Sequence, residues 1–171
     1  MADICTSRSA ACSRRRAVRF LAAAASLASS TLAQSADRIP ETQAVRNVVL
    51  VHGAFADGSG WRGVYDELTK RGYRVTIVQN PLTSLADDVA ATRRVLDMQT
   101  GPVVLVGHSW GGMVITEIGN HERVKSLVYV AAFAPSEGQS IVDMTKDYPR
   151  PSGLDHLVTD KEGFVTMSLE G

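Results

Sequence analysis

The sequence predicts an α/β domain built on a mostly parallel sheet, with four recognisable strands and helices on both faces. Three observations carry that expectation. Short β-branched runs recur without polar alternation, so each strand is apolar on both faces. A helical stretch separates each run from the next. Glycine and proline punctuate the joins, as at Gly72, Asn80-Pro81 and Gly101-Pro102. With 171 residues, 44% of them hydrophobic, the chain has material for one core. Its 18 basic and 18 acidic side chains balance, which argues against a charge-driven nucleic-acid binder.

The charge is unevenly placed. Residues 1–33 hold five Arg and one acid, leaving 13 basic and 17 acidic groups for residues 34–171. Arg14, Arg15, Arg16 and Arg19 precede the small apolar run Phe20 to Ala28, and Thr31 and Ala33 put small residues before Gln34. That order reads as a secretory signal over residues 1–33, cleaved before Gln34, with export to the periplasm or medium. Ser13-Arg14-Arg15-Arg16 also fits a twin-arginine route. The apolar run is too short for a membrane span, so none is expected in the mature form. Both cysteines, Cys5 and Cys12, fall in this leader, so the mature chain has no thiolate and no disulfide. Its four histidines form no HExxH or HxH pattern, and no metal or cofactor is expected.

The elements follow in order. Val48-Val49-Leu50-Val51 is a buried strand ending at His52-Gly53. A Gly- and Asp-rich loop leads to a helix from about Trp61 to Lys70, stopped by Gly72. Arg74 to Val78 is the second strand. Ser84 with Asp87 signals a helix start, and Leu85, Val89 and Leu96 recur on one side of a helix running through Met98. Val103 to Val106 is the third strand, a helix covers about Gly111 to Asn120, and Leu127 to Ala131 is the fourth strand. Beyond Pro135 the periodicity fades. Val158 and Phe164-Val165 are too short to predict strands. The expected division is a leader at 1–33, a core at 34–135 and a polar remainder at 136–171.

The chemistry is concentrated at Gly107-His108-Ser109-Trp110-Gly111-Gly112. A strand runs straight into this Gly-x-Ser-x-Gly and a helix leaves straight from it. A serine on such a turn is strained and its hydroxyl is lifted clear of the sheet. The residues two positions away pass close to the turn, which Gly107 and Gly111 allow. The turn aims the Trp110 N–H and the helix N-terminus at a developing oxyanion. His108, adjacent on the same turn, points elsewhere and is read as a packed or solvent-facing imidazole. A second amide is expected from the loop after the first strand, where Ala54 follows His52-Gly53.

Val49-Leu50-Val51-His52-Gly53-Ala54-Phe55-Ala56-Asp57-Gly58-Ser59-Gly60-Trp61, followed by Val106-Gly107-His108-Ser109-Trp110-Gly111-Gly112, resembles the α/β-hydrolase superfamily over about residues 45–140. The likeness is greatest to small bacterial members related to plant methyl-ester esterases and hydroxynitrile lyases. It implies the N-terminal part of that fold and a serine hydrolase acting on a small ester-like substrate. It implies Ser109 as nucleophile, Ala54 and Trp110 as oxyanion donors and Phe55 in the acyl pocket. His52 would brace the loop. Residues 136–171 would begin the family's lid.

The family also needs an acid and then a histidine after the serine. Of the two later histidines, His121 is expected at the surface end of the helix leaving the elbow, roughly 15 Å along it. His156 falls in the lid region. A general base and acid are therefore not found, and the chain reads as C-terminally truncated. Two alternatives follow: a non-catalytic, hydrolase-like binding protein, or a hydroxynitrile-lyase-like enzyme. Gly58-Ser59-Gly60-Trp61-Arg62-Gly63 matches a dinucleotide fingerprint, but it starts seven residues past Val51, and no acid follows the second strand at Gln79-Asn80. Asp57 and Asp66 are expected as solvated loop or helix residues.

Overall fold

The computed structural model describes residues 44–170, so the expected leader lies outside the described residues. Four parallel strands, β1 (Asn47–Val51), β2 (Arg74–Val78), β3 (Val103–Ser109) and β4 (Val124–Ala132), form one sheet in the order β2-β1-β3-β4. Helix α1 (Arg62–Lys70) joins β1 to β2, α2 (Leu85–Asp97) joins β2 to β3, and α3 (Gly111–Glu117) joins β3 to β4. The predicted fold class is the one observed.

Alternation along β1 divides the core between the two faces. Val49 and Val51 join Leu96, Leu105, Val114, Ile115 and Ile118 on the side of α2 and α3. Val48 and Leu50 join Trp61 and Val106 on the other side, where Leu68 of α1 packs. The second strand runs to one flank of β1, and the chain then crosses back over β1 to lay down β3. That reversal makes the carboxyl ends of β1 and β3 a topological switch point, where the two following loops part to opposite faces and leave a crevice.

Local chemistry sets the boundaries. Asp57 caps a 3₁₀ turn, Gly58–Trp61, by accepting from the Ser59 N–H at 2.7 Å, so α1 proper begins one residue later than predicted. Gly72, at φ +81°, turns the chain out of α1. Ser84 caps α2 by accepting from the Asp87 N–H. Helix α3 ends at Glu117, three residues early, where Gly119 lets Leu127 approach at a distance a Cβ would foul.

β4 is longer than predicted and less buried. It is one of the sheet's two edges among the described residues, and Val128, Tyr129 and Val130 are exposed. The remainder is also more regular than the sequence indicates. A capping box at Ser140 and Asp143 starts α4 (Ile141–Thr145). β5 (Leu157–Thr159) and β6 (Val165–Met167) form an antiparallel hairpin. Its turn is held by Asp160, whose carboxylate accepts the N–H groups of Glu162 and Phe164, with Gly163 at φ +89°. Both strands escape a periodicity reading because they span three residues each and are mostly exposed. No helix among the described residues is long and apolar enough to cross a membrane.

Candidate active site

Val51 pairs with Gly107 across β1 and β3, so the loop after Val51 and the turn after Gly107 emerge side by side. Ser109 ends β3 at φ +52°, a left-handed backbone that costs a non-glycine residue about 1–3 kcal/mol. Its surroundings enforce the conformation. A Cβ on Gly107 would meet the Gly111 carbonyl oxygen at 2.6 Å, and one on Gly111 would meet the Val51 carbonyl oxygen at 2.6 Å. Both obstacles are backbone, so neither yields. Opposite the turn, β4 bulges at Ala131, itself at φ +43°, as the pairing slips between His108 and Ser109. The slip brings the Phe133 N–H to the Ser109 carbonyl at 3.2 Å, which pins the turn from its far side.

On the near side, Gly53 presses against the serine; a Cβ there would lie 2.9 Å from Ser109 Cβ. The Ala54 N–H has no acceptor among the described residues. His52, 3% exposed, braces this loop. Its Nε2 accepts the Asn80 N–H at 3.0 Å, so the ring proton sits on Nδ1, which donates to the Gly53 carbonyl at 2.9 Å. The Asn80 side chain returns a bond to the His52 carbonyl at 3.1 Å. Ala54 to Asp57 and Trp110 line one cleft of about 940 Å³, whose other walls are Pro81 to Leu85 and the hairpin residues Glu162 to Met167.

Trp110 is anchored by a residue the sequence reading did not single out. Asp88 of α2 has no exposed surface. One carboxylate oxygen accepts the Trp110 indole N–H at 2.7 Å and the other accepts the Leu82 N–H at 2.8 Å. Leu82, at φ +57°, is strained as the serine is. A signal was present: Asp88 falls with Ala91, Thr92 and Leu96 on the buried face of α2, an acid interrupting an apolar stripe.

The histidines lie elsewhere. The His108 ring is edge-on to Trp61, with centroids 6.3 Å apart. His121 is not the surface residue expected. Its side chain is 7% exposed and accepts the Arg123 N–H through Nδ1, with Nε2 3.1 Å from Asp97 Oδ1, tying the end of α2 to the approach to β4. His156 closes a 3₁₀ turn before β5. Among the described residues no histidine ring hydrogen-bonds the Ser109 hydroxyl, and no group of three His, Cys, Asp or Glu could hold a metal ion. The glycine-rich stretch is explained by packing: the Gly58 N–H donates to Gln79 Oε1 at 3.2 Å, and a Cβ there would collide with the Gln79 side chain. Asp57 is the cap described above, and Asp66 pairs with Arg62 at 3.2 Å.

A doubly wound parallel sheet with a strained serine at the strand-to-helix turn of its switch point defines the nucleophile-elbow class of α/β proteins. Residues 48–166 match the Alpha/beta hydrolase family, and the chain belongs to it. It is 36% identical over 110 residues to a carbendazim hydrolyzing esterase of Nocardioides sp. (strain SG-4G), covering 56% of this chain and 46% of the relative. It is 32% identical over 107 residues to a pyrethroid hydrolase of Sphingobium wenxiniae, covering 55% and 38%. The matched regions thus span less than half of each curated relative. Among solved structures, an extracellular alpha/beta-hydrolase from a Paenibacillus species superposes with a TM-score of 0.53 at 27% identity, over 58% of this chain and 46% of that one. A pyrethroid hydrolase from Sphingobium faniae JZ-2 superposes with a TM-score of 0.61 over 75% and 58%; at 22% identity that likeness speaks for the fold.

Proposed function

We propose that this chain carries the nucleophile half of a serine-dependent hydrolase acting on carboxylic esters, with Ser109 as the nucleophile. The observation that carries the reading is the constrained left-handed Ser109 at the switch point, beside a cleft lined by Ala54 and Trp110. In this reading Ser109 Oγ attacks the ester carbonyl carbon. The oxyanion is held by the N–H groups of Ala54 and Trp110, the C–O bond to the alcohol breaks, and an acyl-serine remains. Phe55 packs against the acyl portion. The relatives' names, an esterase and a pyrethroid hydrolase, support the substrate class. Export under the leader at 1–33 belongs to the same proposal.

Among the described residues no histidine ring bonds the Ser109 hydroxyl, so in the chain as given its proton passes to solvent and both acylation and deacylation are slow. A chromogenic p-nitrophenyl ester tests this. The expected result is gradual release of about one equivalent of p-nitrophenol per chain, lost in Ser109→Ala; equal release from the variant overturns the proposal. The same assay separates the alternative reading, a binding protein on a hydrolase scaffold, in which no equivalent is released while aryl ligands still bind.

A further inference from the structure

Resting on the reading of the cleft as the ester site, we propose that it selects by charge: it takes neutral or cationic aryl esters and turns away anionic ones, with Asp57 and Glu162 setting the preference. The cleft that reaches the elbow at Trp110 has apolar and aromatic walls, supplied by Phe55, Leu82, Trp110 and Phe164. Two of these are open to a ligand, Phe55 at 57% and Phe164 at 50% exposure. Among the described residues, the charged groups lining the cleft are Asp57, from the loop after β1, and Glu162, from the hairpin turn, and no Lys, Arg or His lines it.

The groups just behind the walls are acidic as well. Asp87 bonds to Thr83 and Ser84, which line the cleft, and so covers the N-terminus of α2 that would otherwise draw an anion. Asp160 bonds to the N–H groups of Glu162 and Phe164. Among the described residues, Lys161 pairs with Glu162 at 3.2 Å and is 88% exposed, so it offsets one carboxylate of the four. Asp57 is ionised around neutral pH like any exposed aspartate, and the Ser59 side chain and then its backbone N–H hold its carboxyl below the ordinary range. Apolar walls with charge of one sign concentrate the opposite sign at the mouth. Through solvent, one carboxylate about 7 Å from a singly charged ligand changes its binding roughly 2.5-fold, in opposite directions for cation and anion.

The test uses three aryl ketones of matched shape on the full chain: para-tert-butyl, para-trimethylammonio and para-sulfonato acetophenone. Binding is read from quenching of tryptophan emission, since Trp110 lines the cleft and Trp61 is buried. At ~10 mM salt, where screening reaches only over ~30 Å, the cation should bind at least about tenfold tighter than the anion, with the neutral compound between. At ~1 M salt the ratio should fall to about twofold. Asp57→Asn with Glu162→Gln should collapse it at low salt; asparagine keeps the cap on Ser59. Equal affinities, tighter anion binding, a ratio that survives the double substitution, or no saturable binding of any ketone would each overturn the proposal. Charge-ordered binding without p-nitrophenol release from Ser109 would reject the esterase reading alone. Release without charge ordering would reject the selectivity alone.

Discussion

Asp88 ties the cleft wall to the elbow through a single buried side chain. Its carboxylate is fully buried and accepts two N–H groups, from Leu82 in the cleft wall and from the Trp110 indole. A hydrogen bond to an ionised acceptor contributes about 1.5–3 kcal/mol. Asp88→Ala deletes both bonds, leaves two donors unpaired and opens a small void. Set against the relief of no longer burying a charge, the net loss should be about 3 kcal/mol. Asp88→Asn keeps one acceptor but turns an amide donor on one of the two N–H groups, so about 2 kcal/mol should go. For a domain of this size that lowers Tm by roughly 8 °C.

Urea and thermal unfolding of the full chain measure the loss. The indole N–H resonances, two in number for Trp61 and Trp110, report whether the bond is the cause. In Asp88→Asn the Trp110 resonance should move and exchange faster with solvent while that of Trp61 holds still. An Asp88→Asn chain within 0.5 kcal/mol of the parent, with both indole signals in place, refutes the reasoning.

Four further outcomes are expected. Gly111→Ala drives a Cβ into the Val51 carbonyl, a backbone atom that cannot swing aside, and should cost ~2–3 kcal/mol in urea unfolding. Ala131→Gly relieves a left-handed alanine at the β4 bulge; the gain of ~1–2 kcal/mol outweighs glycine's entropy, so its Tm should equal or exceed the parent's. Asp57, Asp87 and Asp143 have carboxyls held below the ordinary 3.8 by hydrogen bonds, from Ser59, from Thr83 and then Ser84, and from Ser140 respectively. Their stabilisation is complete above 3.8 and is lost as the pH falls through the lowered values, so Asp87→Asn should flatten stability against pH below 3.8 in an acid titration. Mass spectrometry of protein from its native envelope should find an N-terminus at Gln34; an intact leader there rejects export by this signal.

The sheet was legible because its strands are written as unbroken runs. Val48 to Val51 and Val103 to Val106 have no polar alternation, and burial on both faces is the reason. The elbow was legible for a steric reason: a serine at positive φ demands glycines on either side, and Gly107 and Gly111 announce it. Contacts between elements were harder to see. Asp88 meets Trp110 across 22 residues and Asn80 meets His52 across 28, pairings that no local period encodes. His121 reads from sequence as a helix end on the surface because the early stop of α3 at Glu117, beyond which Gly119 packs against Leu127, leaves no trace in composition. The hairpin was missed because a turn, not periodicity, makes it: Asp160 to Gly163 folds back on itself and carries two three-residue strands with it.

Covalent labelling tests the central claim most directly. The full chain, treated with a neutral fluorophosphonate and digested, should yield one phosphonylated peptide with the adduct on Ser109, formed slowly and absent in Ser109→Ala. An adduct on any other serine, or labelling of Ser109→Ala at the parent's rate, contradicts the assignment of this elbow as the nucleophile's seat.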